Sequence, residues 1–405
     1  MQREKEARHV LTAKNEKGLF ITLYNIETKE KVLNMKKQGR FHCPCCNSEV
    51  TIKAGNVKIP HFAHKRNSSC NASSEPESEY HLLGKANLYQ WISRQYHSIL
   101  EAYIPEIKQR ADILFTVGNK KYAIEFQCSS IPEAVFINRT KAYQSAGISP
   151  LWIVSEKNIN KINQNEFSLR HFDWLFLSGS HAAPVILAYC PLKDRLSMLQ
   201  RIIPFSPRTA FSLQTHSPLS NLSFEELFDV QSCVLPFLSR WREKRMAWSF
   251  HNQKSANWKD VFYRNLYMNQ LTPSTLPPEI GFPVQGMHLV ETAAVRWQSY
   301  IFTDVLHRKE EGRIILINEF IRAFNNRIEK GHIRLRRLPL ITGKDHLFPL
   351  FNYVSFFLQT GYIEAQKTGY FKIKKKIEIP RTVEQMVELE KNFYYVHQKL
   401  LQMGK

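Results

Sequence analysis

The chain has 405 residues, and its 56 Lys and Arg against 36 Asp and Glu give a formal net charge of +20. This length predicts two or three domains. No apolar run reaches the roughly 18 residues of a membrane-spanning helix, so we expect no membrane insertion. The charge favours a polyanionic partner, first nucleic acid and second an anionic membrane surface, although it would also serve solubility alone.

The N-terminal residues MQREKEARHV carry charges that no apolar segment follows, which argues against a secretory signal. The seven cysteines are an odd number, and most of them lie in one segment together with histidines. This pattern is typical of a reduced, cytoplasmic protein with a metal site rather than of a disulfide scaffold.

Residues 9–40 are predicted to form short strands and turns, and a cluster of cysteines and histidines follows them. Cys43 and Cys46 form a Cys-x-x-Cys pair, and His61, His64 and Cys70 come next. Thiolate and imidazole ligands together suit a tetrahedral, structural zinc ion. Five candidates compete for four positions, and His64 and Cys70 are preferred over His61. The alternative is a set of free thiols and solvent-facing histidines.

The next part of the chain alternates between helices and strands. The pattern predicts a helix near 78–96, an extended segment at 99–107, strands at 110–117 and 121–128, a helix at 131–148 and a strand at 150–155. This order of one helix, three strands, one helix and one strand indicates an α/β (α+β) fold with an αβββαβ core.

The strand KYAIEFQC alternates between two faces, and Glu125 lies on the more polar one. If residues 118–119 (Gly-Asn) form a two-residue hairpin turn, Asp112 lies directly opposite Glu125. Opposing carboxylates weaken a sheet by up to about 1 kcal/mol, and a divalent cation between them would remove that repulsion. Oxygen ligands suit Mg²⁺ or Mn²⁺. A three-residue loop would instead place Glu125 opposite Ile113 and remove the argument.

The two flanking helices add candidate side chains to this acidic pair. His81 and Lys85 are four residues apart and share a helix face, and Arg139 and Tyr143 have the same spacing on the following helix. Arg139 and Tyr143, together with Arg110, are candidate contacts to DNA phosphates. The alternative for the helix pair is an exposed arginine and a half-buried tyrosine.

An acid before one strand and Glu-x-Gln on the next, in this order of elements, resembles the restriction-endonuclease-like, PD-(D/E)XK nucleases. Asp112 and Glu125 match the two acids of that pattern, and Gln127 stands where lysine is usual. Glutamine can orient water but carries no charge. The resemblance therefore implies that Lys85 or a second metal ion supplies the missing charge.

The Cys-Pro-x-Cys and HFAH segments, upstream of SEYHLLGKANLYQWI, RADI and IEFQCS, resemble the competence protein CoiA family. The resemblance implies a zinc-ribbon-like β module at 1–74, a PD-(D/E)XK nuclease-like domain at 75–200 and a helical, basic domain at 201–405. It also implies a cytoplasmic role in natural transformation, in the processing or recombination of incoming DNA.

Beyond residue 200 the pattern predicts helices at 223–248, 288–308, 313–331, 351–359 and 381–402 and a basic hairpin at 362–379. A helix followed by a basic hairpin near 350–380 is winged-helix-like, a layout that often contacts the DNA backbone. A helical packing domain with charged edges is the alternative. Trp and Tyr residues of these helices are interpreted as core residues rather than as base-stacking platforms.

Two functions follow from these observations. The first is a Mg²⁺- or Mn²⁺-dependent deoxyribonuclease, with recombination proteins as further partners. The second, which Gln127 favours, is a DNA-binding or recombination-mediating protein that retains the nuclease fold without activity. A zinc-containing transcription regulator would need a convincing recognition helix.

Overall fold

The computed structural model describes residues 9–23, 26, 28–55, 59–65, 70, 78–228, 237–254, 257–343 and 345–397. The chain divides into two compact units. The first unit contains Met1–Ile159, Ile186–Met198 and Thr215–Asp229, and the second contains Asn160–Val185, Leu199–Gln214 and Val230–Lys405. The domain limits at residues 74 and 200 stay predictions. Within the described ranges, no helix combines the length and apolar character needed to cross a membrane.

The first unit begins with a small β module. Its elements are β1 (His9–Val10), β2 (Thr12–Asn15), β3 (Phe20–Thr22), α1 (Lys29–Gln38), β4 (Phe41–His42), β5 (Glu49–Lys53) and β6 (His61–His64). The strands form an antiparallel sheet in the order β1-β6-β5-β4-β2-β3. Val10, Val50, Ile52 and Phe62 pack in its core, which also contains Cys43. The metal-ligand candidates therefore sit on a β scaffold with its own apolar core.

The predicted αβββαβ order is confirmed in the part of the first unit that follows. Its elements are α2 (Glu79–Ser93), β7 (Ser98–Leu100), β8 (Tyr103–Ile104), β9 (Gln109–Arg110), β10 (Ile113–Val117), β11 (Lys120–Gln127), α3 (Glu133–Ser145) and β12 (Ile148–Ser155). Strands β7, β10 and β11 are antiparallel neighbours, and β12 runs parallel to β11. The strand predicted at 110–117 begins only at Ile113, because Gln109–Arg110 pairs separately with β8.

The hairpin between β10 and β11 has the predicted register. Val117 pairs with Lys120 and Ile113 with Ile124, so the next position along the ladder places Asp112 beside Glu125. Gly118 begins the two-residue turn with φ of +55°, a conformation that favours glycine. The turn chemistry thus brings the two acids together.

Helix α2 and strand β11 approach each other closely at Gly84. A Cβ atom at this position would lie 2.0 Å from Phe126 Cε1, a distance at which one of the two elements must move. Helix α2 carries His81 and Lys85, and β11 carries Glu125. The absence of a side chain at Gly84 therefore allows these candidate site residues to approach one another.

Replacing Gly84 by Ala is expected to lower the free energy of unfolding by about 1–3 kcal/mol through overpacking, despite the better helix propensity of alanine. Urea unfolding measures the change. Gly55→Ala is the matched control, since a Cβ there meets nothing within 4 Å. Unchanged or increased stability of Gly84→Ala would contradict the close packing, and Phe126→Leu in the same chain should restore part of the loss.

The rest of the chain adds further strands and the helical part of the second unit. These elements are β13 (Asn160–Asn163), β14 (Glu166–Ser168), β15 (Ser178–Ser180), β16 (Ala183–Cys190), β17 (Arg195–Pro204), β18 (Thr209–Ser217), α4 (Leu238–Lys254), α5 (Val261–Met268), α6 (Ala294–Ile301), β19 (Ile314–Leu316), α7 (Ile317–Glu329), β20 (Leu340–Thr342), α8 (Phe348–Gln359), β21 (Ile363–Lys367), β22 (Tyr370–Ile373) and α9 (Val383–His397). In the first unit, Ile153 of β12 pairs in parallel with Leu187 of β16.

Helices α7 and α8 lie between β19 and the hairpin β21–β22, and the three strands form a sheet in the order β19-β22-β21. Apart from β20, which lies between the two helices in the chain and pairs with β15, this is the order of elements in a winged helix. Helix α8, which follows α7 as a recognition helix would, has the sequence FPLFNYVSFFLQ without a basic residue. Its apolar side chains pack into the core of the second unit.

Three predicted helices of this half need correction. The helix at 313–331 begins as strand β19, because Ile314–Leu316 pairs with β22. The helix at 288–308 is divided into a 3-10 turn at Met287–Leu289, helix α6 and a π-helical turn at Phe302–Leu306. In place of one helix at 223–248, a 3-10 turn covers Glu225–Phe228 and α4 begins at Leu238; residues 229–236 lie outside the described ranges, as do residues 398–402 of the last predicted helix.

Candidate metal centre and acidic site

Four of the five zinc-ligand candidates converge on one point in the first unit. The ligand atoms of Cys43, Cys46, His64 and Cys70 all lie within 4.8 Å of one another. Two thiolates bound to tetrahedral zinc at about 2.3 Å lie roughly 3.8 Å apart. Cys43 Sγ and Cys70 Sγ are 3.9 Å apart, and Cys46 Sγ lies 3.5 Å from His64 Nε2. The donor set and its spacing therefore fit zinc.

The fifth candidate, His61, lies outside this cluster. Its Nδ1 atom is 2.9 Å from the carbonyl oxygen of Ile59, two residues earlier in the chain. The set preferred from the sequence, with His64 and Cys70 completing the Cys-x-x-Cys pair, is the set that the fold assembles.

Replacing Cys43 or Cys70 by Ser is expected to remove one equivalent of zinc and to unfold the β module. Structural zinc contributes on the order of 10 kcal/mol to folding in small modules. Elemental analysis and thermal unfolding of the purified protein measure both effects. Cys45→Ser is the matched control, since Cys45 does not belong to the cluster. Full zinc content in Cys43→Ser, or equal loss in Cys45→Ser, would contradict the assignment.

Asp112 is a buried carboxylate fixed on three sides. Its Oδ2 accepts a hydrogen bond of 2.9 Å from the N–H of Phe126 and lies 3.6 Å from His81 Nε2. Its Oδ1 lies 3.9 Å from Lys85 Nζ. Burial opposes ionisation, but His81, Lys85 and the Phe126 N–H together lower the pKa of Asp112 well below its usual range. Asp112 is therefore an anion at neutral pH.

Glu125 is also buried, and helix α3 holds it. Arg139 Nη2 donates to both carboxylate oxygens at 2.7 Å, and the Tyr143 hydroxyl donates to Oε1. Burial, with the nearby charge of Asp112, raises the pKa of Glu125 to about 7 against the opposing effect of Arg139. The arginine and tyrosine expected to contact phosphate thus contact the second acid of the pair.

Lys85 is fully buried and pairs with Glu101, a residue that sequence reasoning missed. Lys85 Nζ lies 2.5 Å from Glu101 Oε1. Glu101 Oε2 accepts hydrogen bonds from the backbone N–H groups of Leu11 (2.8 Å) and Thr12 (2.9 Å) in the β module. Burial opposes ionisation of this carboxyl, but Lys85 and Arg110 lower its pKa. Glu101 therefore connects the β module to the lysine beside Asp112.

The sequence contains one weak signal for Glu101. It is an acid in the otherwise mostly apolar stretch ILEAYI, and buried acids are rare unless they are paired. Its φ of 54° is also unusual for a residue other than glycine. Neither its partners nor its backbone conformation follows from local pattern.

The remaining candidates have defined places. Gln127 Nε2 donates a 2.8 Å hydrogen bond to the carbonyl of Ser129, so its amide N–H turns toward the following loop. Arg110 is buried, and its positive charge helps to lower the pKa of Glu101. The structure brings His81, Lys85 and Asp112 together, with Glu125 at the adjoining position.

Three domain families match consecutive parts of the chain. They are described as Competence protein CoiA, N-terminal domain (residues 24–73), nuclease-like domain (77–232) and C-terminal domain (233–387). The Competence protein CoiA of Bacillus subtilis (strain 168) is 33% identical over 272 residues, which cover 66% of this chain and 72% of that protein. No solved structure matches. The matches follow the order of zinc-ligand cluster, nuclease-like core and helical region described above, and the chain belongs to the competence protein CoiA family.

Proposed function

We propose that the protein is a metal-dependent deoxyribonuclease that acts on incoming DNA during natural competence. The observation that carries this proposal is the placement of Asp112, directly before β10, beside Glu125 of β11. Both acids are buried, and Lys85 Nζ lies 3.9 Å from the Asp112 carboxylate. The family match to a nuclease-like domain and the positive net charge support it.

The donor set at this position fits a hard divalent cation. Asp112 is ionised, and Glu125 has a pKa raised toward neutrality because burial and Asp112 disfavour its charge, so a cation beside both would be stabilised. Asp112 and Glu125 would hold Mg²⁺ or Mn²⁺. When bound, the cation supplies charge neutralisation of the phosphate and a more acidic water.

Lys85 is the side chain placed to supply the charge that Gln127 lacks. Its Nζ atom lies between the carboxylates of Glu101 and Asp112, and the closer contact with Glu101 orients the side chain toward Asp112. In this role Lys85 stabilises negative charge next to Asp112, and Glu101 is its positioning residue.

In this proposal Arg139 can bind either Glu125 or a phosphate of the DNA. Its side chain is 30% exposed and neutralises Glu125, which is the place that a bound cation would otherwise fill. A guanidinium at the edge of the site binds phosphate oxygens in the same bidentate manner as a carboxylate. We infer that Arg139 turns from Glu125 to a phosphate of bound DNA.

The same contacts favour a second function, DNA binding without cleavage. Arg139 and Tyr143 already donate hydrogen bonds to the Glu125 carboxylate, and the Gln127 amide already donates one to the carbonyl of Ser129. In this second proposal the acids maintain the fold, and the protein presents DNA to recombination proteins.

Cleavage of labelled single-stranded, duplex and branched DNA by the full chain tests the choice, with Mg²⁺, Mn²⁺ and EDTA in parallel. Cutting that requires the divalent ion supports the nuclease. Binding of every substrate without cutting in either metal supports the second function. A cytoplasmic location and recombination proteins as partners belong to both proposals.

A further inference from the structure

An exposed pair of aromatic rings lies at the two ends of the segment 258–267 in the second unit. Trp258 precedes helix α5 and is 58% exposed, and Tyr267 near its end is 69% exposed. Their ring centroids are 5.3 Å apart with the planes at 84°. Met268, 74% exposed, continues the apolar surface. Trp258 and Tyr267 lie outside the predicted helices whose aromatic residues were interpreted as core.

Two cationic residues lie close to these aromatic residues in the chain, and a third contacts the C-terminal end of α5. Lys259 follows Trp258 directly, and Arg264 precedes Tyr267 by three residues on α5, so the two are neighbours on the helix surface. Arg308 Nη2 donates a 3.0 Å hydrogen bond to the Met268 carbonyl, which fixes this arginine at the same edge. All three cationic residues are exposed.

The acid nearest in sequence does not cancel this charge. Asp260 accepts a 2.7 Å hydrogen bond from Arg296 and caps α5 through the N–H of Phe262. Its carboxylate is therefore already neutralised by another cation. The surface formed by Trp258, Lys259, Arg264, Tyr267, Met268 and Arg308, which we name the aromatic platform, combines exposed rings with positive charge.

Exposed rings beside cations match the chemistry of single-stranded nucleic acid. Unpaired bases offer flat faces that stack on aromatic side chains, and the phosphates between them pair with Lys and Arg. Duplex bases are stacked on one another and leave no face free. We propose that the aromatic platform, which is formed by residues of the second unit alone, binds single-stranded nucleic acid and that this binding does not depend on cleavage.

The test measures binding of fluorescein-labelled oligothymidylate and oligouridylate to the full chain by fluorescence anisotropy, without added divalent metal. Trp258→Ala and Tyr267→Ala are each expected to raise the dissociation constant about five- to a hundredfold, the loss of one stacked base. Trp258→Phe and Tyr267→Phe, which keep a ring, should bind nearly as the unmodified chain does. Arg264→Ala should reduce the slope of log K against log salt by about 0.7.

Tyr395→Ala is the matched control, since Tyr395 is a 76% exposed tyrosine on α9 of the same unit; it should leave binding unchanged. The proposal is overturned if Trp258→Ala and Tyr267→Ala bind the oligonucleotides like the unmodified chain. Equal weakening of duplex binding would also overturn it. So would light scattering that shows an oligomer dissociated by Trp258→Ala, because the rings would then serve a protein contact.

Discussion

Replacing Asp112 by Asn is expected to reduce metal-dependent DNA cleavage by about a thousandfold or more, because a bound cation supplies several kcal/mol of charge stabilisation. Asparagine keeps the volume of the side chain and an oxygen that can accept from the Phe126 N–H. The change therefore removes charge without opening a cavity. Single-turnover cleavage in Mg²⁺ and in Mn²⁺ measures the effect, and Glu125→Gln should show a loss of the same order.

The control for these variants is Glu106→Gln, an exposed acid of the same unit, which should cleave normally. DNA binding of each variant, measured by anisotropy, should stay within a few-fold of the unmodified chain, because the acids act on the reacting phosphate. If Asp112→Asn and Glu125→Gln cut as fast as the unmodified chain, the acidic pair is not catalytic and the cutting comes from another source.

Glu101→Gln is expected to lower the free energy of unfolding by about 3–5 kcal/mol, because it leaves Lys85 as a buried charge without its closest partner. Lys85→Met should cause a loss of the same order, because Glu101 loses its closest cation and keeps only Arg110 and two backbone N–H donors. The double variant should lose less than the sum of the two single losses, since it removes both charges together. Urea unfolding of the four chains gives the coupling energy directly.

A surface ion pair in the β module provides the matched comparison. Lys65 Nζ lies 2.6 Å from Glu49 Oε2, nearly the separation of the buried pair, but both side chains are exposed. Water screens this pair, so Glu49→Gln should leave stability almost unchanged. A loss for Glu101→Gln no larger than that for Glu49→Gln would show that the buried pair carries little stability. Cleavage by Glu101→Gln should also fall, because Lys85 loses its orientation.

The parts of the site that could be predicted from the sequence depend on local chemistry. The Gly-Asn turn determined the register that places Asp112 beside Glu125, and the Cys-x-x-Cys spacing identified half of the zinc-ligand cluster. Helix and strand order in the nuclease-like core followed from periodicity and from turn residues. In each case the interacting residues are close in sequence or follow a period.

The parts that could not be predicted depend on contacts between distant residues. Glu101 accepts hydrogen bonds from Leu11 and Thr12, about ninety residues earlier in the chain. No local sequence pattern predicts such a contact. Arg139 and Tyr143 were correctly placed on one helix face, but a choice between carboxylate and phosphate needs the position of that helix against β11. The predicted helix at 313–331 contains a strand because β22 supplies its partner from nearly sixty residues later.

The hydrogen bonds from Leu11 and Thr12 to Glu101 also cross the boundary of a matched family domain. The nuclease-like segment shared by the family begins at residue 77, so the two donors lie before it and their acceptor lies within it. A shuffled or isolated copy of that segment would carry a buried carboxylate stripped of two of its donors. The segment that matches the nuclease-like family model therefore begins after two groups on which its buried acid depends. Because both groups are backbone N–H donors, any residue except proline at positions 11 and 12 can supply them.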